Sequence, residues 1–565
     1  MTKLACAMAA VVLLASGAAL RAAEWQWSVV APTAPTTQPV ERREHPRAFL
    51  WIPPNCERVR GIVFGQHNME EEPILEHPTF RATLAELGFA EVWVAPGFDA
   101  HFRFDQGAGE RFDAMMAELA DQSGYGELSD APLIPIGHSA AASMPWYIAA
   151  WKPQRVLACI STSGQWPYWS DEKNAPHVVG RSIDTVPGIV TMGEYEWADE
   201  NLPKGLKVRA EHPTLPLSVL GCPADGHFAA TDEKVEFLSL CLKKAAQYRL
   251  PKDAPSDRAP ELNNIDPAKT GWLVDRYRMN KEPLAPAAPV DKYAGDASQA
   301  FWWFDEEIAK AAEAFQARHR GKPALLGYVQ EGVTVPQVNG THQQVTLKFL
   351  PGEDGVTFKL APTFLDTVPD GRPARWAGKK AGESIDVPTG GPPIVISKIT
   401  GPVKKISEDT WRLDLYRESL LNDRRGNDAW FVAIWPGGDG YKRAVQQAVM
   451  RIPRRNDKGA DQTITFPNIP EHKAGCPPVK LAAVSSSGLP VRYFVREGPA
   501  DVSDDGMLAI TPIPPRAKFP VKVTVVAWQW GRSIEPKFKT AEPVERTFHV
   551  RRASAVGSAE PEQSP

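Results

Sequence analysis

The chain has 565 residues, more than one hydrophobic core usually organises, so two or more domains are expected. Its formal net charge is −4 and its pI is about 6.3. This balance argues against a nucleic-acid partner, because such proteins usually carry a basic surface. The five cysteines that follow residue 23 form no CxxC pair and no even set. Neither a zinc site nor a disulfide scaffold is therefore indicated, although a single disulfide remains open.

The first 23 residues have the pattern of a secretory signal peptide. Lys3 gives a positive start, an apolar run covers 4–20, and small residues allow cleavage between Ala19 and Glu24. Arg21 ends the apolar run before it reaches the length of about 20 residues that a membrane-spanning helix needs. We therefore expect a mature protein that is secreted or periplasmic and does not insert into a membrane.

Between residues 47 and 250, short apolar strands alternate with amphipathic helices. This alternation predicts βαβ units and a mostly parallel sheet with helices on both faces, within a first domain over 24–332. A last helix is predicted to start at Phe301 and to cover the domain as far as about Arg320. The predicted strands are 61–64, 89–94, 133–136, 156–160, 188–192 and 215–220, and the predicted helices are 79–87, 109–119 and 233–248.

From residue 333 onward the pattern changes to short alternating segments. They are separated by turn sequences such as Asn339-Gly340. This pattern is typical of β-sandwiches. We expect a β-rich domain over 333–458, a second β-sandwich over 459–552, and a disordered tail over 553–565.

The strongest motif is Gly137-His138-Ser139-Ala140-Ala141, which follows a predicted strand and precedes a helix. A serine on such a strand-to-helix turn needs small residues two positions away on each side, because the strained turn brings the backbone close. Gly137 and Ala141 meet this need, although the motif usually ends in Gly. Ser139 is therefore the predicted nucleophile.

An acid and then a histidine follow the serine, which is the chain order of catalytic triads whose serine lies on a strand-to-helix turn. His227 lies between the last predicted strand and the last helix of the βαβ region, and it is the predicted general base. The acid is expected after the strand 188–192. Glu196 is the preferred candidate, and Glu194 and Asp199 are the alternatives.

The loop after the first predicted strand, Gly65-Gln66-His67-Asn68-Met69, is the candidate oxyanion loop. A tetrahedral oxyanion needs two preorganised donors. We expect one from the N–H of Ala140 and the other from the N–H of Asn68 or Met69, with the Asn68 side-chain amide as a further option. His67 is a candidate substrate contact, although hydrogen-bonded support of the loop is the favoured interpretation.

With these motifs, residues 47–250 resemble the α/β-hydrolase superfamily, and more narrowly exported bacterial esterases of the feruloyl and acetyl-xylan type. The resemblance implies a serine esterase. Residues 460–552 resemble a bacterial Ig-like module. The motifs that carry the two resemblances are Gly65-Gln66-His67-Asn68, Gly137-His138-Ser139-Ala140-Ala141, Gly193-Glu194-Tyr195-Glu196 and Asp225-Gly226-His227-Phe228 for the first, and Ser487-Gly488-Leu489-Pro490-Val491 and Gly498-Pro499-Ala500 for the second.

The combined prediction is a secreted serine esterase that removes acyl groups from plant or other polysaccharides. Its mechanism requires no metal and no organic cofactor. Trp166, Trp169 and Trp197 follow strand ends near the predicted catalytic residues. They are candidates for stacking a sugar or an aromatic acyl group, with packing of their own loops as the alternative.

Other functions remain open at this point. A serine peptidase, or a polyester or lipid esterase of the same fold, would use the same catalytic residues. Esterase is preferred over peptidase because no propeller-like repeat precedes the domain. A different class is a non-catalytic scaffold whose β-domains bind polysaccharide, but the intact order of serine, acid and histidine argues against it.

Overall fold

The computed structural model describes residues 25–32, 46–168, 176–196, 198–253, 255, 258–337, 345–419 and 426–553. The predicted signal peptide and the tail from residue 554 lie outside these residues. Within the described ranges, no helix combines the length and the apolar character needed to cross a membrane. The five cysteines in the described ranges all have free thiols, so the disulfide left open by the sequence does not form among them.

An eight-stranded sheet forms the centre of the N-terminal half. Its strands are β1 (Trp27–Val30), β2 (Arg47–Trp51), β3 (Gly61–Gln66), β4 (Phe89–Ala95), β5 (Leu133–His138), β6 (Cys159–Thr162), β7 (Gly188–Gly193) and β8 (Leu217–Cys222). They lie in the order β1-β2-β4-β3-β5-β6-β7-β8, and β3 to β8 run parallel. The first two strands pair antiparallel at one edge. This is the α/β-hydrolase fold that the motifs predicted.

Helices cover both faces of this sheet, which is why β3 to β8 are buried along their whole length and largely apolar. The helices are α1 (Glu71–Leu75), α2 (Pro78–Leu87), α3 (Ala108–Ser123), α4 (Met144–Trp151), α5 (Ala198–Glu211), α6 (Asp232–Arg249) and α7 (Glu306–Gln316). One apolar core includes residues of α3 and α4, and the other includes residues of α2, α6 and α7. Helix α6 begins where the Thr231 hydroxyl accepts a hydrogen bond from the N–H of Lys234.

The segment after α6 adds a small three-stranded sheet in the order β10-β9-β11, formed by β9 (Trp272–Asp275), β10 (Ala288–Pro289) and β11 (Ala300–Trp303). The prediction that a helix starts at Phe301 is wrong, because this aromatic run is part of a strand. Large aromatic side chains favour strands. The helix α7 starts only after Asp305, whose carboxylate accepts a hydrogen bond of 3.2 Å from the N–H of Ile308.

The C-terminal half consists of all-β sheets in two groups. The middle β region, residues 326–451, contains β12 (Leu326–Gln330), β13 (Val333–Val335), β14 (Val345–Leu347), β15 (Thr357–Lys359), β16 (Ala361–Phe364), α8 (Arg372–Ala377), β17 (Val395–Thr400), β18 (Val403–Lys405), β19 (Thr410–Leu413), β20 (Asp428–Trp435) and β21 (Ala444–Arg451). Its sheets have the orders β13-β12-β16, β14-β21-β20-β17 and β15-β19-β18.

The last β region, residues 464–551, contains β22 (Ile464–Thr465), β23 (His472–Lys473), β24 (Val479–Lys480), β25 (Val484–Ser485), β26 (Arg492–Glu497), β27 (Ala500–Val502), β28 (Met507–Ile510), β29 (Val521–Trp528) and β30 (Val544–Arg551). Its sheets have the orders β22-β25, β23-β30-β29-β26 and β24-β28-β27. A shared apolar core lies between them.

Both β regions pack directly on the α/β part. The last β region meets the edge strands β1 and β2, where Arg47 and Glu497 form an ion pair of 2.8 Å. The middle β region contacts the loops at the carboxyl ends of the parallel strands. There an apolar cluster joins both parts of the molecule, with the members Met69, Tyr195, Ala224, Phe228, Ile399, Val432 and Val445. The middle β region is therefore part of the wall around that end of the sheet.

Candidate active site

Ser139 lies on a sharp turn between β5 and α4. Its φ is 53°, a left-handed conformation that a non-glycine residue adopts only under strain. A Cβ at Gly137 would overlap the carbonyl oxygen of Ala141, which explains why the turn needs glycine there. Ser139 is partly exposed and Ala140 is exposed, so the Ser139 hydroxyl is accessible at the carboxyl end of β5.

His227 links the Ser139 hydroxyl to the Glu196 carboxylate. Its Nε2 lies 2.8 Å from Ser139 Oγ, and its Nδ1 is hydrogen-bonded to Glu196 Oε1. The three residues follow β5, β7 and β8, and the carboxyl ends of parallel strands meet at one edge of a sheet. Three positions chosen from chain order are thus brought into one hydrogen-bonded chain.

Burial sets the electrostatics of the histidine and its acid partner. Both side chains are about 6% exposed. Burial raises the pKa of Glu196 to about 8 and lowers the pKa of His227 to about 3. The environment therefore disfavours separate charges on the pair, and it keeps the imidazole neutral and able to accept a proton at neutral pH.

The alternative acid Glu194 has a different set of contacts. Its carboxylate is buried and accepts hydrogen bonds from the N–H of Ala224 at 2.9 Å and from the Tyr277 hydroxyl at 2.8 Å. It also forms a buried ion pair with Lys442. Glu194 is therefore occupied away from His227. The side chain of the third candidate, Asp199, lies outside the described residues.

The candidate oxyanion loop follows β3 and lies beside the Ser139 turn. The Asn68 side-chain amide donates a 2.6 Å hydrogen bond to the carbonyl of His138. The N–H of Met69 donates to Glu71 Oε2 at 2.8 Å, so this N–H is already engaged. The N–H of Ala140 belongs to the first turn after Ser139, where backbone donors lack partners within the helix.

Two residues that were not identified from the sequence support the His227 loop. The Ser163 hydroxyl donates to the carbonyl oxygen of His227 at 2.9 Å. His138 Nε2 lies 2.9 Å from the same oxygen. The sequence shows that His138 stands next to Ser139. Nothing in the sequence indicated its contact with a loop 89 positions away.

The run Glu70-Glu71-Glu72 is also part of the site, and all three side chains are buried. Glu70 accepts a hydrogen bond from the N–H of Ala229 and pairs with Lys234 at 3.1 Å. Burial raises the pKa of Glu71 to about 7. Glutamates are usually exposed to solvent, so three consecutive glutamates in the sequence indicate a surface segment. The sequence therefore did not predict that this run is buried.

The candidate substrate contacts are placed as follows. Trp166 is 7% exposed and lies in the core, where a Cβ at Gly205 would overlap its ring. This placement favours packing over stacking with substrate. His67 Nδ1 lies 3.0 Å from Glu418 Oε1, which favours the role of loop support. Trp169 and Trp197 lie outside the described residues.

One group of possible metal ligands among the described residues includes His67 of the oxyanion loop. Single ligand atoms of His67, Glu72 and Glu418 lie within 4.8 Å of one another. Glu72 also accepts a 2.6 Å hydrogen bond from the Thr400 hydroxyl. Burial opposes charge on His67, but the carboxylates of Glu418, Glu72 and Glu71 together outweigh burial and raise the pKa of His67. We interpret the group as a buried ion pair with hydrogen-bonded neighbours.

The similarity of this chain to known proteins is limited to solved structures. The chain matches no protein-family model, and no curated protein matches its sequence. Among solved structures it is similar to the fluorophosphonate-binding serine hydrolase FphF of Staphylococcus aureus, with 10% identity, TM-score 0.28, and 38% of this chain and 96% of that chain covered. It is also similar to Est1E from Butyrivibrio proteoclasticus, with 16% identity, TM-score 0.26, and 38% of this chain and 97% of that chain covered. It is similar as well to a dienelactone hydrolase from Anabaena variabilis, with 16% identity, TM-score 0.27, and 39% of this chain and 96% of that chain covered. At these identities and TM-scores no activity is transferred to this chain.

Proposed function

We propose that this protein is a serine hydrolase that cleaves carboxylic esters through an acyl-enzyme. The observation that supports it most is the hydrogen-bonded chain from Glu196 through His227 to Ser139 Oγ. In this proposal Ser139 is the nucleophile, His227 the general base, and Glu196 the acid that orients the imidazole. The strained φ of Ser139 supports the same assignment, because strain at a turn positions a nucleophile.

The proposed reaction has two steps. His227 Nε2 takes the proton of Ser139 as Oγ attacks the ester carbonyl, and the N–H groups of Ala140 and Asn68 hold the oxyanion. His227 then gives that proton to the leaving alcohol. In the second step His227 takes a proton from water, the hydroxide attacks the acyl-enzyme, and the proton returns to Ser139 as the acid leaves. Met69 is left out as an oxyanion donor because Glu71 engages its N–H.

We further propose that the substrate is an acylated polysaccharide and that the protein acts after export. Two partly buried tryptophans of the middle β region support this substrate class. The Trp376 ring lies 4.8 Å from that of Tyr195, and the Trp430 ring lies 4.8 Å from that of Phe228. Both tryptophans thus flank the loops of Glu196 and His227, and aromatic faces of this kind stack on sugar rings or aromatic acids.

The test is hydrolysis of p-nitrophenyl acetate, methyl ferulate and acetylated xylan by the mature protein and its variants. Ser139→Ala should lower the rate by on the order of 10⁴–10⁶. The exposed Ser182→Ala is the matched control and should hydrolyse like the wild type. Equal rates for Ser139→Ala and the wild type would contradict the nucleophile. Turnover of p-nitrophenyl acetate without any release of acetate from xylan would contradict only the polysaccharide substrate.

A further inference from the structure

The loops that carry the proposed acid and base are held by side chains from the middle β region. Lys442, two residues before β21, forms a buried ion pair with Glu194, and the two side chains are 1% and 2% exposed. Glu194 stands two residues before Glu196 and also accepts from the N–H of Ala224, on the loop that carries His227. One lysine from a different region of the fold thereby ties both loops together.

A second contact fixes the start of the histidine loop. Arg443 pairs with Asp225, two residues before His227, and both side chains are at least 95% buried. The same guanidinium donates from Nη1 to Glu233 Oε2 at 2.8 Å, on helix α6 after the loop. Arg443 therefore bridges the two ends of the segment that contains His227.

The third contact adjoins the histidine itself. The Gln447 side chain, on β21, accepts through Oε1 a 2.7 Å hydrogen bond from the N–H of Phe228. Gln447 is 4% exposed. A Cβ at Gly226 would lie 2.9 Å from Gln447 Cδ, so the glutamine fits closely against the backbone on both sides of His227.

Contacts of this kind are poorly explained as simple attachment of one domain to another. Burying paired charges costs desolvation energy, and such pairs add little net stability compared with apolar packing, but they fix geometry well. Here the buried polar contacts converge on the backbone around one histidine.

We propose that Lys442, Arg443 and Gln447, here called the β21 clamp, are positioning residues for His227, so that the middle β region is a working part of the active site. The proposal rests on the proposed serine-hydrolase function. A general base must keep its geometry to about 0.5 Å. A displacement of about 1 Å at a reacting group can lower the rate about 100-fold.

Gln447→Met tests the clamp with a side chain of similar size that cannot accept the Phe228 hydrogen bond. Gln446→Met is the matched control on the same strand. Gln446 is also buried; its Oε1 accepts from Gln337 Nε2 at 2.6 Å, and its Nε2 donates to the carbonyl of Gln447 at 3.0 Å, so this variant tests loss of a buried glutamine beside the clamp. The readouts are kcat and KM for p-nitrophenyl acetate, the rate at which a fluorophosphonate probe labels Ser139, and the thermal midpoint.

Positioning predicts that Gln447→Met lowers kcat and the labelling rate by at least about tenfold with KM nearly unchanged, whereas Gln446→Met changes each less than about threefold. Equal labelling of the two folded variants would overturn the clamp. An unlabelled wild-type Ser139 would instead overturn the proposed function, so the two failures are distinguishable.

Gln447→Glu provides a second variant if the methionine variant does not fold. It keeps the oxygen acceptor and adds a carboxylate near His227, which already faces Glu196 and experiences the charges of Glu70, Lys234 and Arg372. The added negative charge should favour the imidazolium, so the acid limb of kcat/KM should move to higher pH while the rate at pH 8 stays near that of the wild type. An unmoved acid limb with a lowered rate at pH 8 would overturn the proposal.

Discussion

The Glu71 carboxylate accepts a hydrogen bond of 2.7 Å from the backbone N–H of His138, the residue directly before Ser139. Its other oxygen accepts from the N–H of Met69 at 2.8 Å. One buried carboxylate thus joins the serine turn to the candidate oxyanion loop. The distance between Ser139 and the proposed donor at Asn68 depends on this bridge.

Glu71→Gln should weaken the bridge, because an amide offers one acceptor oxygen where the carboxylate offers two. One backbone N–H then loses its partner in a buried place, at a cost of about 1–3 kcal/mol. We expect a lower denaturation midpoint and a kcat for p-nitrophenyl acetate reduced by about tenfold. Glu86→Gln, whose side chain is 62% exposed, is the control. Unchanged stability and rate would show that the bridge does not hold the two loops.

Glutamine variants of Glu196 and Glu194 should affect different properties, the catalytic rate in the first and the stability of the fold in the second. Glu196→Gln removes the negative charge that stabilises the imidazolium, and its amide N–H can hold His227 in the wrong tautomer, so kcat should fall by on the order of 10⁴ with the fold retained. Glu194→Gln leaves the buried Lys442 ammonium without its counter-charge, which should cost about 3–5 kcal/mol of stability. Rates measured well below the unfolding midpoint, together with denaturant titrations, separate the effects. A larger loss of kcat in folded Glu194→Gln than in Glu196→Gln would exchange the two assignments.

Much of the α/β part was predictable because its strands are apolar and its helices amphipathic. The predicted strand 188–192 and the observed β7 (Gly188–Gly193) differ by one residue, and the helix 233–248 is observed as Asp232–Arg249. Ser139 and His227 could be predicted as the nucleophile and the base because the chemistry imposes small residues and a fixed chain order. These features are local, so single-sequence patterns contain them.

The remainder depends on contacts between distant parts of the chain. Gln447 and the N–H of Phe228 lie 219 positions apart, and no sequence pattern links them. The burial of Glu71 depends on backbone donors that only the folded loops bring together. The strand at Phe301 depends on pairing with Val274 in β9, which outweighed the expected continuation into α7. Tertiary partners decided each of these cases.

The acid limb of the pH–rate profile should lie below the ordinary histidine range. His227 acts as a base only when neutral, and burial lowers its pKa to about 3. As the pH falls, the imidazole therefore stays neutral below the unperturbed value of about 6.5, and kcat/KM persists there. Because His227 and Glu196 form one buried pair, the profile reports the titration of the pair. A profile of kcat/KM from pH 4 to 9 provides the measurement, and an acid midpoint at or above about 6.5 would contradict the prediction.

Substitutions at the two small residues of the serine turn should differ sharply in effect. Gly137→Ala places a Cβ where the carbonyl oxygen of Ala141 lies, so the turn must move and Ser139 Oγ leaves the reach of His227. A shift of about 1 Å should cost about 100-fold in kcat. Ala141→Gly removes only one buried methyl group from a position that glycine usually occupies in this motif, so kcat should stay within about threefold, with a stability loss of about 1 kcal/mol. Steady-state kinetics and the rate of fluorophosphonate labelling of both variants provide the comparison.

Full activity in Gly137→Ala would mean that the turn relaxes without moving the hydroxyl. The strained φ of Ser139 would then no longer be an argument for its role as nucleophile.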